Sequence, residues 1–516
     1  MNLFRALLTV SGFTLLSRVT GLARETLIAR AFGASQYTDA FYVAFRIPNL
    51  LRRISAEGAF SQAFVPILAE FKNQQGHDAT KALVDATSTV LAWALVVLSL
   101  LGIAGSSFVV FVVASGLRAD GQAYTLAVSM TRIMFPYIVF ISLTSLASAV
   151  LNTYKSFSLP AFAPVLLNVA FIVAAVFFAP HMKTPVYALA WAVIAGGLLQ
   201  FLVQLPGLKK IDMVPRFGLN PVRALAHRGV KRVLAKMVPA MFAVSASQIS
   251  LIINTNIASH IGPGAVSWIN YADRLMEFPT ALLGVALGTI LLPSLSKAHV
   301  DADPHEYSSL LDWGLRVTFL LAAPSAIALF FFAEPLTATL FHYGKFDGNA
   351  VVMVSRALSA YGVGLIGLIL IKILAPGFYA KQDIKTPVKI AVGVLIVTQL
   401  SNYVFVPIFA HAGLTLSIGL GSCVNASLLF FMLRRRGIYT PSAGWTRFFV
   451  QLLGACLVLA GTMHWFSTTF DWIGLHAEPV RRIVLLGACL VLFAALYFGM
   501  LWAMGFKYAY FRRRVK

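Results

Sequence analysis

Apolar runs of about twenty residues recur along the whole of this 516-residue chain, and that repetition restricts the fold more than any other feature. A helix needs roughly 20 apolar residues to cross the hydrocarbon core of a bilayer, whereas a barrel strand needs only about ten. Only helices and closed barrels satisfy their own backbone in lipid. Charged residues make up 12% of the chain, against about 25% in a soluble domain. The chain is therefore expected to be an all-α polytopic membrane protein. Turn and charge punctuation gives about fourteen transmembrane spans, near residues 3–32, 38–70, 83–114, 124–153, 158–179, 185–207, 233–260, 266–297, 310–333, 351–379, 387–409, 413–434, 446–468 and 481–505.

The loops alternate in charge. Those after even-numbered spans are basic, among them LKKIDMVPRFGLNPVRALAHRGVKR and RRRGIYTPSAGWTR, as is the tail KYAYFRRRVK. Those after odd-numbered spans, such as GASQYT, PHMKTP and HIGPGA, carry almost no Lys or Arg. The exceptions are Arg118 with Asp120, Lys345 with Asp347, and Arg481 with Arg482. The positive-inside rule places both termini in the cytoplasm. The net charge of +22 would suggest nucleic acid in a soluble protein. Here it belongs to loops beside anionic lipid, so no nucleic-acid partner is expected. The first apolar run is interrupted by Arg18 and Arg24, which marks a retained helix rather than a cleaved signal. Cys423, Cys456 and Cys489 lie inside apolar runs without metal or disulfide spacing.

A weak repeat appears at an offset of about 225 residues. ARAFG at 29–33 matches ASHIG at 258–262, and VPILAEF at 65–71 matches LPSLSKA at 292–298. An even number of spans per repeat makes the repeats parallel, a common transporter plan. The expected organisation is two pseudo-symmetric six-helix lobes: an N-lobe at 1–208, a basic cytoplasmic linker at 209–232 and a C-lobe at 233–436. Residues 437–516 add two further helices and a basic tail.

Against this apolar background, some charges stand out. Residues 39–71 read as one long helix with Arg52, Arg53 and Glu57 near its middle, Asp39 at its start and Ser61 beyond. A charge at the bilayer centre costs about 2.5–3.5 kcal/mol on insertion scales. The first span adds Arg18, Arg24 and Glu25, and the eighth adds Asp273, Arg274 and Glu277. Arg53 with Glu57 and Arg274 with Glu277 have the spacing of helical ion pairs, and Glu25 and Asp273 are further supporting carboxylates. Arg18, Arg24 and Arg52 outnumber the deep carboxylates facing them, so an anion from outside should help neutralise them. Arginine suits a phosphate-like group, because its planar fork donates two bonds to paired oxygens. No GxxxxGK[ST] or HExxH occurs, so no nucleotide-binding loop and no metal site are expected. Asp301 and Asp303 form a loop pair that a metal-dependent transferase would need; an acidic solvated loop is the simpler reading.

The run SRVTGLARETLIARAFGASQYTDAFYVAFRIPNLLRRISAEGAFSQAFVPILAEF resembles the N-terminus of the MurJ (MviN) family of bacterial lipid II flippases. So do SLPAFAPVLLN, QISLIINTNIAS, YADRLMEFP, GVALGTILLPSLSK, DWGLR, LAPGFYAKQDIKTPVKIA and GLTLSIGL. The resemblance implies the fold of the multidrug/oligosaccharidyl-lipid/polysaccharide exporter superfamily. It implies two lobes around a central cavity, and a groove formed by the last two helices for the lipid tail. Arg18, Arg24, Arg52 and Arg274 match the family's cavity arginines, and Asp39, Glu57 and Ser61 match further sensitive positions. Position 25 is Glu where relatives often carry Asp. The expected substrate is lipid II, undecaprenyl-pyrophosphate carrying a disaccharide-pentapeptide, flipped to the periplasmic leaflet of the inner membrane by alternating access. Membrane lipids and other cell-wall synthesis proteins are further expected partners. No cofactor is expected; membrane potential or a coupling ion, H+ or Na+, would supply the energy. Rival readings are a flippase for another polyprenyl-linked oligosaccharide, a cationic-drug exporter, a polyprenyl-phosphate transferase and a scaffold of the wall-synthesis complex.

Overall fold

The computed structural model describes residues 3–53 and 60–506, and every regular element among them is helical. The first half holds α1 (Leu3–Phe32), α2 (Gln36–Leu51), α3 (Ser61–Gln74), α4 (Gly76–Ala104), α5 (Ser106–Ala114) and α6 (Gly121–Met134). It continues with α7 (Tyr137–Thr153), α8 (Ser158–Val173), α9 (Tyr187–Leu202), α10 (Leu205–Lys210), α11 (Pro221–Leu225) and α12 (Arg228–Ile261). Then follow α13 (Ala265–Pro279), α14 (Ala286–Val300), α15 (Pro304–Phe331), α16 (Ala333–Phe341) and α17 (Gly348–Leu374). The chain ends with α18 (Pro376–Tyr379), α19 (Lys385–Phe409), α20 (His411–Arg435), α21 (Trp445–Thr469) and α22 (Pro479–Ala503).

Local chemistry sets many of these boundaries. Asp120, Asn220, Asp303 and Asp347 each accept a backbone N–H at the start of α6, α11, α15 and α17, as N-caps do. Asp303 of the acidic loop thus has a structural task. Phe135–Pro136 interrupts one expected span into α6 and α7, because proline supplies no backbone donor. The stretch 39–71, read as one long helix, is α2 and α3 with π-type turns at Arg52 and Arg53. Residues 54–59, Glu57 included, lie outside the described residues.

Ten helical stretches among the described residues are long and apolar enough to cross a membrane. They correspond to ten of the fourteen expected spans. The other four, near 3–32, 38–70, 233–260 and 266–297, are the first two of each expected lobe. Their arginines, carboxylates, asparagines and serines depress their hydropathy. The polar helices therefore stand at corresponding places in the two expected lobes.

The chain packs as two compact units, ending and beginning at Ser267 and Trp268. α12 falls in the first unit because it packs on α3, α5 and the turn Ser115–Ala119. In the first unit, Phe64, Leu68, Leu83, Val84, Leu146, Val150, Leu208 and Val230 form a buried cluster. In the second, Leu291, Leu295, Leu311, Leu315, Ile373, Phe378, Leu429 and Leu433 do so. There α17 and α20 meet at Gly364 and Gly419, where a Cβ on Gly364 would lie 2.0 Å from the Gly419 Cα. Close backbone approach of this kind drives helix association where lipid competes for every apolar contact.

Arg482 explains one exception to the loop-charge pattern. It is fully buried at the start of α22, donates to the His342 carbonyl at 3.1 Å, and its guanidinium lies 5.0 Å from the Tyr343 ring centre. It holds α22 to the turn between α16 and α17 rather than marking a loop.

Outside the spans, Asp383 accepts from the Thr386 hydroxyl at 2.7 Å, the Thr386 amide at 3.0 Å and Arg436 at 2.6 Å. These bonds, the Thr386 hydroxyl foremost, lower its pKa to about 2. A depressed carboxylate stabilises the fold above its ordinary pKa, and the contribution is lost as pH falls through the folded value. Wild-type protein should therefore lose thermal stability between about pH 4 and 2, and Asp383→Asn should flatten that part of the profile. An unchanged slope in a differential scanning measurement of purified protein would remove this turn from the acid response.

Candidate functional site

Arg24 lies two-thirds of the way along α1, with its side chain 12% exposed. One terminal nitrogen donates to Asn168 Oδ1 at 3.0 Å, and the other is paired with Glu25. The guanidinium also lies 5.2 Å from the Phe171 ring centre, within cation–π range. Asn168 and Phe171 both come from α8, the strongest partner of α1. Asn168 is itself fixed, because its amide nitrogen donates to Ser17 O at 3.0 Å and Thr20 Oγ1 at 3.2 Å. Glu25 is 3% exposed, and its second oxygen accepts from Tyr42 of α2 at 3.3 Å. A buried carboxylate is tolerated only when paired and hydrogen-bonded, and this one has both. Arg24 keeps donors in reserve: its Nε is buried and meets no acceptor among the described residues.

Other predicted residues take different positions. Arg18 is exposed and makes no hydrogen bond or ion pair among the described residues. Although it shares a helix face with Glu25, Arg24 takes that carboxylate instead. Arg52 bonds back to Asn49 Oδ1 at 3.0 Å, one turn earlier. Arg53 is exposed and Ser61 half-buried, and the expected Arg53–Glu57 pair falls outside the described residues. In the second unit, Arg274 pairs with Glu277 at 3.1 Å, the spacing read from the sequence. Asp273 accepts from the Tyr361 hydroxyl.

Asp39 has an architectural setting. It is 1% exposed and accepts from Gly264 N at 2.6 Å, Ser267 N at 2.7 Å and Ser267 Oγ at 2.6 Å. Gly264 N and Ser267 N lie at the N-terminus of α13, and Asp39 itself occupies the first turns of α2. One carboxylate therefore faces the positive ends of two helices. The sequence separation of 225 residues is close to the offset of the weak sequence repeat, and α2 and α13 are the second helices of the two expected lobes. Beside it lies a cavity of about 310 Å³ lined by Gln36, Asp120, Ser259 and His260.

Some polar partners carried no sequence flag. Arg46 donates to Thr255 Oγ1 at 2.7 Å, joining α2 to α12. It was visible as one more arginine in an apolar helix. Asn168, Tyr42 and Tyr361 were not, because a single neutral polar side chain in a span signals nothing until its partner is known. In the second unit an apolar cavity of about 680 Å³ is lined from α15, α17, α20 and the start of α21. None of its lining comes from α22, unlike the groove expected between the last two helices.

A family profile described as lipid II flippase MurJ matches residues 28–485. A lipid II flippase MurJ of Burkholderia cenocepacia is 84% identical over 516 residues, the full length of both chains. A probable lipid II flippase MurJ of Buchnera aphidicola is 43% identical over 461 residues, 89% of each chain. Among solved structures, a lipid II flippase MurJ in an inward closed conformation superposes with a TM-score of 0.78 at 21% identity, over 95% of this chain and 99% of that one. An inward-facing multidrug transporter of the MATE family superposes with a TM-score of 0.69 at 15% identity, over 83% of this chain and 98% of that one. These two likenesses establish the fold.

Proposed function

Since the chain belongs to the MurJ family of lipid II flippases, we propose that its cargo is undecaprenyl-pyrophosphate carrying a disaccharide-pentapeptide, bound through the pyrophosphate by intramembrane arginines. The protein is a membrane transporter rather than an enzyme. The observation that carries the cationic-site reading is the arrangement of Arg24. Asn168, Glu25 and Phe171 fix the guanidinium on α1 while leaving donors unfilled. A pyrophosphate offers paired oxygens for such a fork. Arg18, exposed on the same helix, and Arg52, on α2, are further cations of this site. Arg274, in the second unit, is an intramembrane arginine of the same kind, its charge moderated by Glu277 at 3.1 Å.

The head group cannot cross hydrocarbon unaided, because each unsatisfied polar group costs several kcal/mol. Alternating access moves it through a polar interior while the tail remains in lipid. Similarity to inward-facing and outward-facing exporters of one fold supports that mode. The loop-charge pattern supports a cytoplasmic location for both termini, and hence entry of the head from the cytoplasm. With the inside negative, each negative charge carried outward releases about 2.3 kcal/mol per 100 mV. Membrane potential therefore drives or resets the cycle.

The test is transport of lipid II in proteoliposomes, with and without an imposed potassium-diffusion potential. Faster flipping with the cytoplasmic side negative is the expected result; a rate independent of potential would refute the electrical drive. Replacing lipid II by the same polyprenyl-pyrophosphate with an unrelated oligosaccharide should abolish transport. Equal rates would point to the broader class of polyprenyl-linked sugars.

A further inference from the structure

The segment between α10 and α12 is strapped along α4. Lys81 donates to Val214 O, and Asp85 Oδ1 accepts from Arg216 N at 2.8 Å. Thr89 Oγ1 accepts from Gly218 N at 2.9 Å, and Trp93 Nε1 donates to Gly218 O at 3.1 Å. Lys81, Asp85, Thr89 and Trp93 are successive i,i+4 positions on one face. The strap thus climbs roughly 18 Å along the helix at 1.5 Å per residue.

The strap stops where the character of α4 changes. Below Trp93 its contact positions are Lys, Asp and Thr. Above, Val96, Val97, Leu100 and Leu101 are exposed in a helix apolar enough to span a membrane. A tryptophan at such a junction marks the water–lipid boundary. At that level the chain leaves α4 and presents Phe217 (50% exposed), Leu219 (91%) and Val222 (74%), with Leu225 behind them on the short α11. Four large apolar side chains within nine residues are thus at least 39% exposed among the described residues. Around them, residues 209–232 hold Lys209, Lys210, Arg216, Arg223, Arg228 and Lys231 against one carboxylate, Asp212; Arg232 is already paired with Glu70 at 2.7 Å.

We propose that residues 217–225 are an interfacial wedge. Phe217, Leu219, Val222 and Leu225 sit among the lipid chains of the cytoplasmic leaflet, and the surrounding Lys and Arg side chains bind its anionic head groups. Continuity with the lipid-facing side of α4 selects a bilayer over a protein partner. The excess of cations selects an anionic leaflet over a neutral one. Burying apolar side chains beside head groups while cations reach lipid phosphates is the ordinary physics of interfacial segments. α11 is too short to form an amphipathic stripe, so the strap on α4 does the positioning. The wedge in turn fixes the cytoplasmic start of α12, which begins three residues after Leu225.

The test uses full-length Leu219→Cys and Val222→Cys proteins labelled with an environment-sensitive fluorophore and reconstituted in phosphatidylethanolamine–phosphatidylglycerol vesicles. Wild-type protein treated in parallel corrects for the three native cysteines. An Asp212→Cys label serves as the aqueous reference. At 219 and 222, lipids with a doxyl group near the head should quench several-fold more than aqueous iodide, and the order should reverse at 212. Exchanging phosphatidylglycerol for phosphatidylcholine should weaken lipid quenching. Iodide-dominated quenching at both apolar positions would overturn the wedge and leave a protein partner as the occupant. Quenching indifferent to lipid charge would overturn the anionic preference.

Discussion

Arg24→Ala should leave the protein in the membrane at near wild-type level yet unable to sustain growth when the cell's own flippase is depleted. Charge-assisted hydrogen bonds are worth about 1.5–3 kcal/mol each. Loss of a two-bond contact to pyrophosphate would cost about 3–6 kcal/mol, or roughly 10²–10⁴-fold in binding at 1.4 kcal/mol per decade. The substitution also removes the guanidinium beside Glu25, which is 3% exposed. Removing one member of a buried pair is destabilising by itself. The double variant Arg24→Ala with Glu25→Gln separates the two effects. It should recover thermal stability, because the buried negative charge is removed together with Arg24, and remain dead in transport. If it regains transport, Arg24 serves only to neutralise Glu25 and the cationic-site reading fails. Arg24→Lys keeps the charge but not the fork, and should fall between wild type and alanine. The Asn168 bond at 3.0 Å and the Phe171 contact both favour a planar guanidinium.

How much of this could be read beforehand differs between the fold and the site. Length of apolar run is a property of contiguous sequence, and it located the helical class and ten of the expected spans. Compact packing was less legible. α12 goes with the first unit because of its contacts with α3 and α5, which no local pattern announces. In the site, the Arg274–Glu277 pair was legible because helical spacing dictates it. The Arg24–Glu25 pair was not, because adjacent residues on an ideal helix point about 100° apart. It forms because the long arginine side chain bends to its neighbour while α8 supplies Asn168 and Phe171 from 144 and more residues away. Asp39 stands out in the sequence as a carboxylate at the start of an apolar helix. Its partners, two backbone amides and a serine 225 to 228 residues away, could not be inferred from side-chain charge.

That setting gives Asp39 a sharper expected result than a carboxylate facing substrate would have. A carboxylate kept for substrate binding is a local liability to the empty protein, and removing it leaves empty-state stability unchanged or raised. Asp39 instead satisfies Gly264 N, Ser267 N and Ser267 Oγ while 1% exposed. Asp39→Ala strands these donors at the buried start of α13. At about 1–3 kcal/mol for each unsatisfied donor, the cost is roughly 2–6 kcal/mol even if one finds another acceptor. The melting temperature of substrate-free protein in detergent should therefore fall by several degrees, with a parallel loss of expression. Asp39→Asn keeps one acceptor oxygen but turns an N–H donor toward an amide or hydroxyl that also donates. It should sit nearer to alanine than to wild type. Asp39→Glu preserves the charge and both acceptors but must place its longer chain in a filled space; it should recover part of the melting temperature. An unchanged melting temperature in Asp39→Ala with transport abolished would assign Asp39 to the cargo. A large fall shared by Asp39→Ala and Ser267→Ala, with Ser267→Ala still transporting, would assign it to the junction of the two helix starts.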